Sequence, residues 1–350
     1  MALKGALSGP PRINNFDVIR HLAALQVAVL HSTNHLGIQG IDTLREVATH
    51  LHGVPVFFTI SGFLVYWSYD RAKDIPQYAR NRFLRLYPGL WACLAVTLLL
   101  MALTGGLSLP PSVFALWALS QTTIFPIWTP DGLRPWGVGT PNGSLWTIIV
   151  ELQFYAAVPL LHRLLKRGGA RAAAAITVVA LVCRAATPLL VHLPLVARKL
   201  WIVCLLPYLY NFLGGVLLYH WWNRAKGLVE GHVAKWAIVY FGYSLVMSGH
   251  FHMYRPEDIP SNLASMTGNI LLMVVTISAA FSGSWGASTH RYDLSYGLYI
   301  YHMPIVNAFV AMAWAGKAQH VILALAASVA LAAASWTLIE RPALARKRAT

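Results

Sequence analysis

Stretches of about twenty apolar residues recur along this chain with only short polar segments between them, and that is the length an α-helix needs to cross a hydrocarbon layer. A backbone inside lipid must satisfy its own hydrogen bonds, so spanning segments of this length form helices. Ten spans are expected, over residues 15–36, 52–69, 87–104, 144–163, 172–190, 200–220, 233–250, 262–281, 292–313 and 320–340. The predicted fold class is therefore all-α, a polytopic transmembrane helical bundle forming a single domain over residues 1–350, with no appended soluble domain. Residues 112–128 are apolar but short, and they run into the Pro/Gly/Trp-rich TPDGLRPWGVGTPNG. They are placed in an extracytoplasmic or re-entrant segment, 105–143, because an eleventh span would invert every later loop.

Composition excludes the alternatives. Charged residues make up 11% of the chain, against roughly 25% in an average soluble domain. The 27 Lys and Arg outnumber the 12 Asp and Glu, a balance that in a soluble protein would suggest nucleic acid. Here the charges follow topology, and no nucleic-acid partner is expected. With the N-terminus cytoplasmic, eighteen basic residues fall on inside segments, the densest being Arg71, Lys73, Arg80, Arg82 and Arg85, then Arg163, Lys166, Arg167 and Arg171. Only Arg45, Arg134, Arg198, Lys199, Arg255 and Lys317 fall outside. Such a bias puts both termini in the cytoplasm, with the pair Arg198-Lys199 as the exception. Cys93, Cys183 and Cys204 lie in apolar runs and read as small packing residues, not as a disulfide framework. The N-terminus has no cleavable signal core, so the first span is expected to stay in the protein.

Ionisable groups inside a bilayer are costly and mark candidate sites. Arg20 and His31 are eleven residues apart, an offset of about 20° on a helix and about 16 Å along it, so they share a face with Arg20 near the cytoplasmic edge. A local pair with Asp17, or a histidine bonded in the bundle core, would explain each residue alone. Glu151 lies well inside the fourth span, with Ser144 and Tyr155 on the same side. Ser295, Tyr299 and His302 line one face of the ninth span, a pattern that helix packing also produces. Arg80, Arg82 and Arg85 suit either a topology anchor or a bidentate phosphate clamp. His50, His52, His250 and His252 have no acidic or thiol partner at metal spacing, and no metal site is expected. Phosphate-binding glycine loops, nucleophile elbows and His-Glu-x-x-His helices are absent from the sequence.

Taken in order, FDVIRHLAALQVAVLH with Arg20 and His31, GVPVFFTISGFL, RNRFLRLYP with Arg82 and Arg85, SLWTIIVELQFY, LSYGLYIYHMPI and the terminal IERP resemble the acyltransferase 3 family of bacterial integral-membrane acyltransferases. The resemblance covers nearly the whole chain. It implies transfer of an acyl group, most often acetyl, from cytoplasmic acyl-CoA to a hydroxyl of an extracytoplasmic or membrane-associated glycan, at a bacterial inner membrane. It further implies His31 as the catalytic histidine, Arg20 as its partner in donor binding, Arg82 and Arg85 as the second basic motif, and Glu151 at the family's acidic position. Glu151 would orient the imidazole or bind sugar; Ser295, Tyr299, His302 and Tyr155 would contact the oxyanion or the acceptor. Acetyl-CoA is the expected donor substrate, with no permanently bound cofactor; a homo-oligomer is compatible with the chain. The sequence departs from the family in having His21 after the first Arg and Thr147 in place of Ser, changes that bear on acceptor fit. A rival from another class, a proton-coupled transporter or flippase, would use Arg20, His31, Glu151 and His302 as a relay.

Overall fold

The computed structural model describes residues 15–123, 126, 128–250, 258–283 and 292–347, and among them there are helices and no strands. A helix stands at every expected span. Helix α1 (Phe16–His35) begins the bundle, the short α2 (Asp42–Thr49) follows, and α3 (Gly53–Asp70) leads into α4 (Ile75–Leu103). The turn between α3 and α4 is set by Asp74, whose carboxylate accepts the Gln77 N–H at 2.7 Å as an N-cap ahead of Pro76. Helix α5 (Pro111–Thr122) has twelve residues, about 18 Å of helix, too short to cross a hydrocarbon layer of about 30 Å.

The fourth and fifth expected spans appear as one helical run, α6 (Trp146–Ala185), forty residues long. Left straight it would extend about 60 Å, twice the thickness available. The backbone leaves helical geometry at Gly169, with φ 52° and ψ −134°, a left-handed conformation that glycine adopts without a Cβ clash. Beyond it come α7 (Leu195–Ile202) and α8 (Leu209–His220, preceded by the 3-10 turn Leu206–Tyr208), with a 44° bend at the break between Ile202 and Leu206, then α9 (Trp222–Val229), α10 (Val233–Ser248), α11 (Ile259–Ala280), α12 (Ser295–Ala311), α13 (Ala318–Ser335) and α14 (Arg341–Ala345). A π-helical turn, Trp336–Glu340, joins the last two. Among the described residues five helical segments are long and apolar enough to cross a membrane alone, six when α7 and α8 are taken as one bent span. The remaining spans rest on the sequence reading.

Helix α12 is the centre of the molecule: every residue from Ser295 to Ala308 is buried. Helices α1, α4 and α13 pack around it, and α3, α6, α8 and α11 form the neighbouring group. Close approach in that group depends on glycine. A Cβ on Gly62 of α3 would sit 2.0 Å from the carbonyl oxygen of Phe212 of α8, and one on Gly215 of α8 would sit 2.1 Å from the carbonyl oxygen of Thr59. Small residues at a crossing are how membrane helices gain packing contact without a hydrophobic driving force. Residues 136–145 are tied to α12 by two asparagines. Asn142 donates to the Ile300 carbonyl at 2.8 Å, and Asn307 accepts from the Val138 N–H at 2.7 Å while donating to the Thr140 and Pro141 carbonyls.

Of the basic residues used to read topology, Lys4, Arg12, Arg255, Arg291 and Arg348 lie outside the described residues, as does His252.

Candidate active site

A cavity of about 380 Å³ runs through the middle of the bundle. Along α3 its wall extends from Val54 to Ser68, about 21 Å of helix. One end is basic, formed by Arg82 and Lys347 near Trp67, Ser68 and Leu344, and the other is formed by Phe57, Thr147 and Tyr299. Seven of the nine residues singled out from the sequence line it: Arg20, Arg82, Arg85, Glu151, Tyr155, Ser295 and Tyr299. His31 and His302 are not among its lining residues.

The arginines are organised by a residue that sequence reasoning missed. Asp293, two residues before the α12 stripe, accepts from Arg20 at 3.1 Å and from Arg85 at 2.5 Å through Oδ2, while its Oδ1 accepts the Ser295 hydroxyl at 2.6 Å. Arg20 also pairs with Asp17, the local contact allowed by the three-residue spacing. Each guanidinium is thereby held against the cavity wall by a carboxylate from another part of the chain, a charge-assisted arrangement stronger than neutral hydrogen bonds. The only sequence signal was electroneutrality: two arginines turned inward in lipid need an acid. Glu340 is a second acid that the reading did not assign. It is 2% exposed on the π-helical turn, with Oε1 accepting from Ser335 at 2.8 Å.

Glu151 accepts hydrogen bonds from Ser61 at 3.3 Å and from the Tyr155 hydroxyl one helical turn along. Arg82 donates to Ser68 at 3.1 Å and lies over the Tyr78 and Tyr155 rings, 6.0 and 5.5 Å from their centroids, a cation–π geometry. The Tyr299 hydroxyl accepts from Thr147 Oγ1, at the position where the family commonly has Ser, at 3.0 Å and donates to the Ser144 carbonyl at 3.4 Å.

Beyond Tyr299 lies an imidazole pair. The Tyr299 and His302 ring centroids are 5.9 Å apart, and His302 Nε2 meets His31 Nδ1 at 2.9 Å. His302 is fully buried, whereas His31 is partly exposed and next to His35, whose ring is 5.8 Å away. The shared face predicted for Arg20 and His31 is therefore divided between two environments: α12 runs along α1 past both, with Asp293 at Arg20 in the cavity and His302 at His31. His302 Nδ1 is 3.3 Å from the Leu298 carbonyl. A carbonyl only accepts, so this contact requires a proton on Nδ1. Neutral His302 then accepts at Nε2, His31 donates from Nδ1, and His31 Nε2 keeps its lone pair.

Of the histidines weighed as metal ligands, His50 bonds Ser244 at 2.7 Å and His52 faces Asn269 at 3.3 Å. Among the described residues no three His, Cys, Asp or Glu side chains gather in metal-binding geometry.

Comparison with known proteins decides the family. The profile of the acyltransferase domain, acyltransferase 3, matches residues 13–340. The chain belongs to that family. This acyltransferase is 31% identical over 347 residues to nodulation protein 10 of Rhizobium leguminosarum bv. viciae, covering 95% of this chain and 93% of the relative. It is 25% identical over 351 residues to the O-acetyl transferase of Shigella phage Sf6, covering 95% and 96%. A third relative, acyltransferase MdmB of Streptomyces mycarofaciens, is 25% identical over 45% of this chain and 42% of its own length. No solved structure matches the chain. Family and apolar helices together make it a membrane acyltransferase.

Proposed function

We propose that this membrane acyltransferase moves an acetyl group from cytoplasmic acetyl-CoA to a hydroxyl of an extracytoplasmic or membrane-associated glycan, in the inner membrane of a bacterium. The observation that carries the reading is the alignment of a basic-mouthed cavity, its end at Tyr299, and the His302–His31 pair behind that end. The pantetheine arm occupies the cavity with the thioester toward Glu151 and Tyr299, and the coenzyme's phosphates stay at the mouth. His31 faces the other compartment. Movement of the Tyr299 ring brings the thioester to the imidazole pair.

In this reading His31 Nε2 removes the proton of the acceptor hydroxyl as its oxygen attacks the thioester carbonyl, and the collapsing adduct expels the coenzyme's sulfur. General-base catalysis of this kind contributes roughly 10²- to 10⁴-fold. His302 holds the tautomer and stabilises the imidazolium, the part a carboxylate plays in hydrolytic triads. Direct attack by His31, giving an acyl-imidazole that the acceptor then resolves, uses the same lone pair. Tyr299 and Thr147 turn their hydroxyls from each other and from the Ser144 carbonyl toward the developing oxyanion.

The test is His31→Ala in purified protein supplied with radiolabelled acetyl-CoA and surface glycan. The variant is expected to remain folded and to lose transfer and release of free CoA by at least about a hundredfold. Retention of transfer would remove His31 from the chemistry. Acceptor movement without consumption of acetyl-CoA would instead identify a transporter.

A further inference from the structure

Helices α1 and α12 run in the same direction, with Asp293 meeting Arg20 and His302 meeting His31. Past the imidazole pair α1 continues to Leu36, about 8 Å, and α12 to Ala311, about 14 Å. There the loop after α12 closes onto the end of α1, the Gly316 N–H donating to the Leu36 carbonyl at 2.7 Å. That loop fixes one aromatic ring. The Trp314 N–H donates to the Phe309 carbonyl at 2.8 Å and the Ala313 N–H to the Val310 carbonyl at 2.9 Å, the paired bonds of a Schellman cap, and the Trp314 and Phe309 ring centroids meet at 5.1 Å as its apolar contact. The left-handed position of the cap is held by Ala313, φ 58°, the one non-glycine residue with a positive φ among the described residues. Glycine would take that geometry without a Cβ clash, so the turn is kept by its surroundings and not by local preference. The Trp314 indole lies nearly parallel to the His320 imidazole, centroids 5.2 Å apart at 21°, and Trp314 is still 41% exposed. On α1, His35 occupies the turn between His31 and Leu36; it is exposed, and its ring is 5.8 Å from that of His31.

A flat apolar ring braced on one face and open to solvent elsewhere is a surface on which the C–H face of a sugar stacks, and tryptophan offers a large rigid area of this kind at small cost in side-chain entropy. We propose that Trp314 is an acceptor subsite: its indole stacks on a pyranose ring of the glycan while a hydroxyl of another ring reaches His31, so that residues 312–317 select the acceptor. The subsite rests on the glycan reading above and adds to it the place where the acceptor is held. Trp314 touches no reacting atom and acts by positioning. Interfacial tryptophans also anchor helices in a bilayer. The two roles separate by substitution, because leucine keeps the apolar surface and lacks the flat face, whereas tyrosine keeps the face.

The probe is the surface oligosaccharide of the source cell, freed of O-acetyl groups and titrated by calorimetry into detergent-purified protein without acetyl-CoA. The wild type is expected to bind, Trp314→Leu to bind about tenfold more weakly and Trp314→Tyr to stay within about threefold. With acetyl-CoA present, Trp314→Leu should raise the KM for the oligosaccharide about tenfold and leave the KM for acetyl-CoA unchanged. Wild-type affinity in Trp314→Leu, an equal loss in Trp314→Tyr, or a rise in both KM values overturns the subsite. The reading beneath it fails differently. A wild type that binds the oligosaccharide and consumes no acetyl-CoA removes the donor and leaves the subsite standing, whereas a wild type that does not bind the oligosaccharide removes the glycan acceptor and the subsite together. Acetyl transfer to the oligosaccharide that is the same in wild type and Trp314→Leu keeps the reading and removes the subsite.

Discussion

At Asp293 one carboxylate meets guanidiniums from two helices, on residues 273 and 208 positions away in the chain. The Asp293 side chain is 13% exposed, and removing one partner from such a buried set leaves the others uncompensated, typically costing about 3–5 kcal/mol. Asp293→Asn is therefore expected to lower the thermal midpoint in detergent by several degrees, more than Asp17→Asn, whose pairing with Arg20 is local; equal midpoints for the two would remove Asp293 from the scaffold. The pairing could not be read from the sequence. Spacing along one helix exposed the Arg20–Asp17 contact, which the structure also forms, but a link between α1, α4 and the start of α12 exists only once those helices have packed. The same limit applies to His31 and His302. Each was legible as an ionisable group in an apolar run, and their 2.9 Å contact was not.

Among the elements, the crossing of α3 and α8 has the least tolerance. Both Gly62 and Gly215 face backbone atoms, which do not rotate away as a side-chain tip does. Gly62→Ala and Gly215→Ala are each expected to cost about 1–3 kcal/mol, read as reduced monodisperse protein on fluorescence-detected gel filtration, whereas Gly242→Ala, with open space around it, should be silent. Unchanged yield from either of the first two would mean that the helices separate at little cost. Helix positions were legible because hydropathy and length leave a lipid-exposed backbone few choices. Less visible was the joining of two expected spans into α6 with a break at Gly169, since the basic residues around it suggested only a loop. The 44° bend between α7 and α8 was likewise hidden within a single apolar run.

For the whole molecule, the basic end of the cavity and the partly exposed His31 are separate, and Tyr299 with the fully buried His302 stands between them. Under the proposed reaction, a donor in the cavity reaches His31 only when an internal side chain moves. The same stopper has an electrical meaning. With Tyr299 and His302 closing that end of the cavity, the protein is expected to carry no current: cells producing it in excess keep their membrane potential, read with a potential-sensitive dye. Tyr299→Ala, which removes the ring at that end of the cavity, should let protons through and depolarise them, and a variant that leaves the potential untouched would show that His302 alone makes the seal.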